Sequence, residues 1–492
     1  MIQNQISLLL VVIPLVAAPV IAILWRGRLS WLMAFIVTSI CAVLAVMQFW
    51  QVTHNGVISY ELGGWAPPWG IEYRIDIVNA LVALIIAGIA AITLPYALLS
   101  VEKEIPEHQI PLFYSAFILC FAGLLGITQT GDIFNLFVFL EISSLSSYAL
   151  IGLGRKRQAL TSAYQYLIMG TLGATFFLIG VGLIYSQTGT LNMMDLAQKL
   201  PMITELKTVH TGFAFIMIGF ALKLALFPLH LWLPNAYTYA PTVITVFLAA
   251  TATKVALYVM LRVLFTVFPE GFVSATPTGD LFILSGIAGI ISASVSAIYQ
   301  LNVKRLLAYS SVSQIGYMAL GIGFASASGV TAAIIHLFNH ALMKGALFMA
   351  VGGIIYRIGA CRMDNIHGLG RQMPWTFGAI VIGGLSLIGV PGTAGFISKW
   401  YLVLAALEQE AWISVAVILT GSLLAVVYMG KVIEALYFKP VTEMNLGVKE
   451  APMLLLTPTW VLVIANIYFG LNAEFTVGVA EQAAQVLGVG AK

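Results

Sequence analysis

Apolar runs of about twenty residues, the length needed to cross a bilayer's hydrocarbon core, recur from one end of this chain to the other. Such a run satisfies its own backbone hydrogen bonds in hydrocarbon only as a helix. Of the 492 residues, 60% are hydrophobic and 9% charged, which excludes a soluble domain with a polar surface of its own. The expected fold class is therefore an all-α polytopic membrane protein with about fourteen transmembrane helices. The runs lie at 6–24, 31–52, 76–99, 111–128, 131–152, 162–185, 209–239, 242–267, 280–299, 304–324, 330–355, 376–407, 411–437 and 452–472. No positive charge precedes the first run and no small-residue cleavage pattern follows it, so it reads as a span and not as a signal peptide.

Assigning alternate loops to one side gathers 14 cations there, among them Arg155, Lys156, Arg157, Lys304 and Arg305, and leaves Arg74, Lys199, Lys207 and Lys492 on the other. The positive-inside rule then places both termini outside a cytoplasmic membrane. Loop 53–75 is rich in Gly, Pro and Trp and fits an interfacial belt or a short hairpin cap. Loop 186–208 reads as a short amphipathic surface helix. Cys41, Cys120 and Cys361 stand apart without metal or cluster spacing, and no cofactor is expected.

Two runs are interrupted. Residues 209–239 carry Lys223 before Pro228, His230 and Pro234; residues 376–407 carry Pro391, Gly392 and Gly395 before Lys399. Broken spans seven and twelve of opposite direction are what an inverted repeat would produce. The expected organisation is an N-terminal three-helix segment (1–110), two inverted five-helix repeats (111–267 and 280–437), and a C-terminal helix and tail (452–492). Pro228, His230 and Pro391 mark candidate access or gating points, because backbone groups freed at a break need water or side chains.

Ionisable side chains deep in a span cost several kcal/mol and mark ion or proton routes. Glu141 is the acid nearest the middle of any run, and Lys223 is its expected ion-pair partner, each holding the other charged. Lys254 lies deep in the eighth run. The eleventh carries His336, His340 and Lys344 at intervals of four, a titratable stripe along one helical face. That His pair lacks the glutamate of an HExxH zinc site, so no metal is assigned. Arg262, close to a span end, is expected to snorkel to the interface. Glu141, Lys223, Lys254, His336, His340, Lys344 and Lys399 thus form a candidate proton relay at similar depth.

The stretches GDIFNLFVFLEISSLSSYALIG, KLALFPLHLWLPNAYTYAP, LNVKRLLAYSSVSQIGYM, HLFNHALMKGALFM and GVPGTAGFISKW resemble the antiporter-like subunits shared by respiratory NADH:quinone oxidoreductase, membrane-bound hydrogenases and Mrp-type sodium/proton antiporters. The resemblance covers about residues 75–440, and within it YELGGWAPPWGIEYRIDIVNAL looks most like the D-type component of the Mrp antiporters. It implies fourteen spans with broken helices seven and twelve. It also implies Glu141 as the acid of span five, Lys223 and Lys399 as the lysines of the broken spans, Lys254 as the bridging lysine, and His336 and His340 as the relay of span eleven. The partners so implied are other subunits of a hetero-oligomeric membrane antiporter complex, protons, sodium and lipid, with no nucleic acid. Rival readings are a redox-driven proton-pump subunit, a quinone-handling oxidoreductase subunit, and a scaffold whose charges only bind partners.

Overall fold

A computed structural model describes residues 5–24, 26–269 and 271–489. Lys492, counted above with the outer cations, lies outside them. The chain begins with α1 (Ile6–Ile23) and α2 (Gly27–Asn55), then a hairpin of β1 (Ile58–Glu61) and β2 (Glu72–Ile75), then α3 (Ile77–Glu104), α4 (Ile110–Gln129), α5 (Ile133–Gly152) and α6 (Arg157–Thr188). A short α7 (Met193–Lys199) leads to α8 (Lys207–Leu224), α9 (Trp232–Tyr239), α10 (Thr242–Ala250) and α11 (Ala252–Arg262). After a single turn, α12 (Phe272–Ala275), come α13 (Thr278–Ile298), α14 (Val303–Gly323), α15 (Ala327–Ile358) and the brief α16 (Leu369–Gln372). The chain closes with α17 (Pro374–Ile388), α18 (Ala394–Glu408), α19 (Trp412–Ile433), α20 (Met453–Leu471) and α21 (Glu474–Val486).

Among the described residues, eleven helices are long and apolar enough to cross a membrane. The expected runs outside that set are the two broken ones and α14, which opens on Lys304 and Arg305 and carries three serines. Both breaks fall where the prolines put them, between α8 and α9 and between α17 and α18. The eighth run departs from its expectation of one unbroken helix. Thr251, at φ −126°, separates α10 from α11, and a π turn (Val263–Val267) follows α11.

The loop before α3 folds as the antiparallel hairpin, with Ile58 opposite Ile75 and Glu61 opposite Glu72. It is tied down by Gly131, whose N–H donates to the Glu72 carbonyl at 2.8 Å. Asp76 and Asp132 are the N-caps of α3 and α5. Helix α7 forms as anticipated from an Asn192 cap, and the Lys199 ammonium 2.8 Å from Asp195 holds that carboxyl below its usual range.

Two isolated bridges pin loops to helix starts: Asp132 pairs with Asn192, and Asn302, which caps α14, pairs with Arg362. Glycines set the closest helix contacts, α6 on α8 at Gly173 and Gly219 and α13 on α14 at Gly286 and Gly316. In each pair a Cβ would meet the facing carbonyl at 3.0 Å or less, so only glycine admits the approach. Helix α15 is the axis of the molecule, packed by α10, α14, α17, α18, α20 and α21.

Candidate proton-conducting site

Lys223 occupies the last turn of α8, before the chain leaves the helix through Ala225 in the left-handed region (φ 59°). The indole of Trp232, stacked on Tyr166 with 3.9 Å between ring centres, donates at 2.9 Å to the Leu222 carbonyl, which also accepts from the Ala225 N–H. The expected ion pair with Glu141 does not form. Lys223 Nζ donates instead to Ser144 Oγ at 2.6 Å and to the Tyr148 hydroxyl at 3.3 Å. The reason is depth: Ser144 follows Glu141 on α5 by three residues, a rise of about 4.5 Å, so the lysine at the end of α8 meets the hydroxyls first. Glu141 Oε1 is buried with no protein partner.

A cavity of about 40 Å³ lies between α5, α8 and α11, lined by Lys223, Ser144, Ser147, Tyr166 and, on α11, Ala252 and Val255. It is roomy and polar enough to hold water. On α11, Lys254 is fully buried. Its ammonium donates to the Ala249 carbonyl, which the kink at Thr251 has released from helical pairing, and to Thr253 Oγ1 at 3.3 Å.

On α15 the rings of His336 and His340 run nearly parallel, 8° apart, with centres 6.0 Å apart. His336 Nδ1 meets Ser398 Oγ at 2.8 Å; its Nε2 and both ring nitrogens of His340 are buried without protein partners. Lys344 Nζ donates to the Leu307 carbonyl at 2.8 Å and to Ser310 Oγ, both on α14. Lys399, beside Ser398 in the second turn of α18, reaches back to the broken end of α17. It donates to Leu387 O at 3.0 Å, Ile388 O at 2.9 Å and Ser422 Oγ at 2.9 Å. The Tyr317 ring lies 4.8 Å from this ammonium and 5.7 Å from the His336 ring, bridging the two.

The structure thus joins Lys399, Tyr317, His336 and His340 into one contact series, with Lys344 one turn further along α15. It separates Glu141 from Lys223 by a hydroxyl layer. Among the described residues, Lys254, Lys344 and Lys399 make no ion pair with a carboxylate. Glu141 Oε1, His336 Nε2, both ring nitrogens of His340, Gln314 Oε1 and Asn339 Oδ1 are all buried without a protein hydrogen-bond partner.

Two other expectations change. Arg262 does not snorkel: it is buried and holds Asp76 with both arms at 2.8 Å. Lys304, counted with loop cations, is buried and donates to the Ala240 carbonyl at 2.8 Å. Of the candidate access points, Pro228 and Pro391 are exposed, whereas His230 is buried against Phe227. Sequence reading passes over Ser144, Tyr148, Trp232, Tyr317, Ser398 and Ser422, because neutral hydroxyls and aromatics in a span give no signal of their own. The one available cue is spacing, since Ser144 and Tyr148 follow Glu141 by three and seven residues.

Residues 130–425 match the family model described as NADH:quinone oxidoreductase/Mrp antiporter, TM. The chain is 40% identical to NADH-quinone oxidoreductase subunit N of Desulforudis audaxviator over 96% of each chain. It is 32% identical to the Na(+)/H(+) antiporter D component of Alkalihalophilus pseudofirmus over 88% of this chain and 87% of that one. In shape it is similar to a chain of the membrane-bound sulfane sulfur reductase, an archaeal respiratory membrane complex, with TM-score 0.91 and 34% identity over 98% of both chains.

Proposed function

Since this chain belongs to the NADH:quinone oxidoreductase/Mrp antiporter family, we propose that it translocates protons as one subunit of a multi-subunit cation/proton antiporter. The route runs through Glu141, Lys223, Lys254, His336, His340, Lys344 and Lys399. The observation that carries this reading is that Lys254, His336, His340 and Lys344 are all buried with no carboxylate in contact among the described residues. Such a set is a poor way to gain stability and a good way to pass a proton, because each base feels the charge of the next. Lys223 and Glu141, separated by hydroxyls, exchange protons through water and not through a direct ion pair.

The accompanying architecture is fourteen spans in a cytoplasmic membrane with both termini outside, built around two inverted five-helix units. Several matched features support the repeat. A cap residue bridged to a distant loop begins α5 and α14, helices α6 and α15 both have 32 residues, and α11 and α19 both run into a π turn. Sodium is the expected counter-ion.

A second reading, a subunit of a redox-driven proton pump, is favoured by the 40% identity to a NADH-quinone oxidoreductase subunit. Purification of the native complex in mild detergent separates the two: flavin or iron–sulfur partners select the second. In everted vesicles, Lys223→Ala and Lys254→Met are each expected to abolish proton translocation with assembly intact. Full translocation by either variant removes that residue from the route.

A further inference from the structure

A cavity of about 190 Å³ lies at the end of the molecule away from the hairpin, where α3 and α15 finish and α6, α10 and α14 begin. Four cations line it: Lys103 from α3, Arg155 and Lys156 from the turn before α6, and Lys304 from α14. One carboxylate stands with them, that of Glu104, and its oxygens are engaged by the Thr242 N–H at 2.9 Å and the Ser100 hydroxyl at 2.8 Å. Among the described residues none of the four cations makes an ion pair. Lys304 is the most demanding of them. It is 5% exposed, and of the three hydrogens on its ammonium one goes to the Ala240 carbonyl. Lys103 likewise donates to the Tyr356 carbonyl, and Arg155 gives its Nε–H to the Glu104 carbonyl at 3.1 Å. The outer fork of that guanidinium meets no protein acceptor among the described residues. A buried charge without a counter-charge costs free energy, and an anion in the cavity offsets that cost.

We propose that this cavity binds a phosphate-type anion, either the phosphodiester of an anionic lipid headgroup or a free phosphate. A tetrahedral oxyanion presents acceptors on several sides, which suits donors arriving from three separate elements. The arginine fork can take two of its oxygens, and the lysines act on the rest as point charges. A planar carboxylate, with two oxygens, would leave part of this ring of donors unserved. Between the cations the wall is apolar, with Pro241 and Ile355, and accepts the organic part of an ester. The site lies at the ends of membrane-crossing helices, at the level of phospholipid headgroups. An anion bound there ties Lys103 of the N-terminal segment to Arg155 of one proposed five-helix unit and Lys304 of the other. The proposal is independent of the proton route, since none of the route's residues lines the cavity.

The site is tested in the assembled complex, with two probes. The detergent-solubilised, delipidated complex is titrated with sodium phosphate at an ionic strength held constant with sodium chloride, and its thermal midpoint is read. In parallel it is reconstituted into phosphatidylcholine vesicles with and without phosphatidylglycerol, and the phosphatidylglycerol retained on re-extraction is counted. A midpoint that rises with phosphate assigns the free anion, and retained phosphatidylglycerol without a phosphate response assigns the headgroup; either supports the site. Arg155→Gln combined with Lys156→Gln changes two exposed positions and spares the fold. In it the half-maximal response is expected to need at least about tenfold more phosphate, or the retained lipid to fall by as much. Lys304→Gln is expected to act in the same direction. No response of the native complex to either probe, or an equal response in the double variant, overturns the site. Cross-linking of Arg155→Cys to an acidic segment of a partner subunit, with neither probe bound, puts a protein carboxylate in place of the phosphate and likewise overturns it.

Discussion

Lys223 and Lys399 both sit beside a break in a helix, yet opposite kinds of group hold them. Lys223 belongs to the helix that ends, and its ammonium is held by two hydroxyls from α5 with Glu141 one turn away. Lys399 belongs to the helix that restarts, and it reaches back onto the last carbonyls of its predecessor. Those carbonyls lack helical partners and carry the negative end of the α17 dipole, so the backbone itself stabilises the charge. No acid takes the place of Glu141 in the second half: nine residues beyond the Asp132 cap lies Glu141, and nine beyond the Asn302 cap lies Ser311. Lys223 is thus held by side-chain hydroxyls, and Lys399 mainly by backbone carbonyls. The two broken segments hold their lysines by different means.

This contrast can be broken in several ways. Alanine at either lysine should reduce proton flux in vesicles to background; a variant that conducts would show that only one half is on the route. Next in size, Ser144→Ala combined with Tyr148→Phe removes every protein hydrogen bond to Lys223. At about 1.5–3 kcal/mol for hydrogen bonds to a charge, flux should fall by roughly one to two orders of magnitude. Ser422→Ala leaves Lys399 its two carbonyls and should cost far less. Equal losses in the two would erase the distinction between side-chain and backbone control.

The turns that close the breaks differ too. Gly389 adopts φ 91°, and a Cβ there would lie 2.9 Å from Lys399 Cδ, whereas Ala225 bears a left-handed conformation with its methyl in place. Gly389→Ala should therefore destabilise the detergent-solubilised protein by about 1–2 kcal/mol or more, and Ala225→Gly should stabilise it by up to about 1 kcal/mol. Thermal midpoints moving the same way in both variants would contradict this. The smallest expected effect is at the caps. Asp132→Ala, losing two N–H contacts, should cost about 1 kcal/mol, and Asn302→Ala, losing one, should cost less.

What the sequence disclosed follows from how strongly each feature is penalised. Apolar length and buried charge carry large costs, so the long helices, the interrupted segments and the lysines were legible. Partners distant along the chain were not. Asp76 and Arg262 are 186 residues apart, and nothing in either run announced that they would meet. Lys304 stood at the edge of a run, where burial and exposure look alike in one dimension. Glu141 and Lys223 were paired by chemical type, and the error came from one turn of depth, a quantity that sequence does not record. The kink at Thr251 was hidden because threonine within an apolar run is compatible with an unbroken helix.

That kink gives Lys254 a mechanical office. Its side chain closes a joint, clasping the loose oxygen of Ala249 on one segment while standing on the other. An ammonium brings three hydrogens to this clasp; the neutral amine brings two and a lone pair, which a carbonyl oxygen repels. On the proposed route, a proton on this base would strengthen the clasp between α10 and α11 and its departure would weaken it, because a neutral amine donates less strongly than an ammonium.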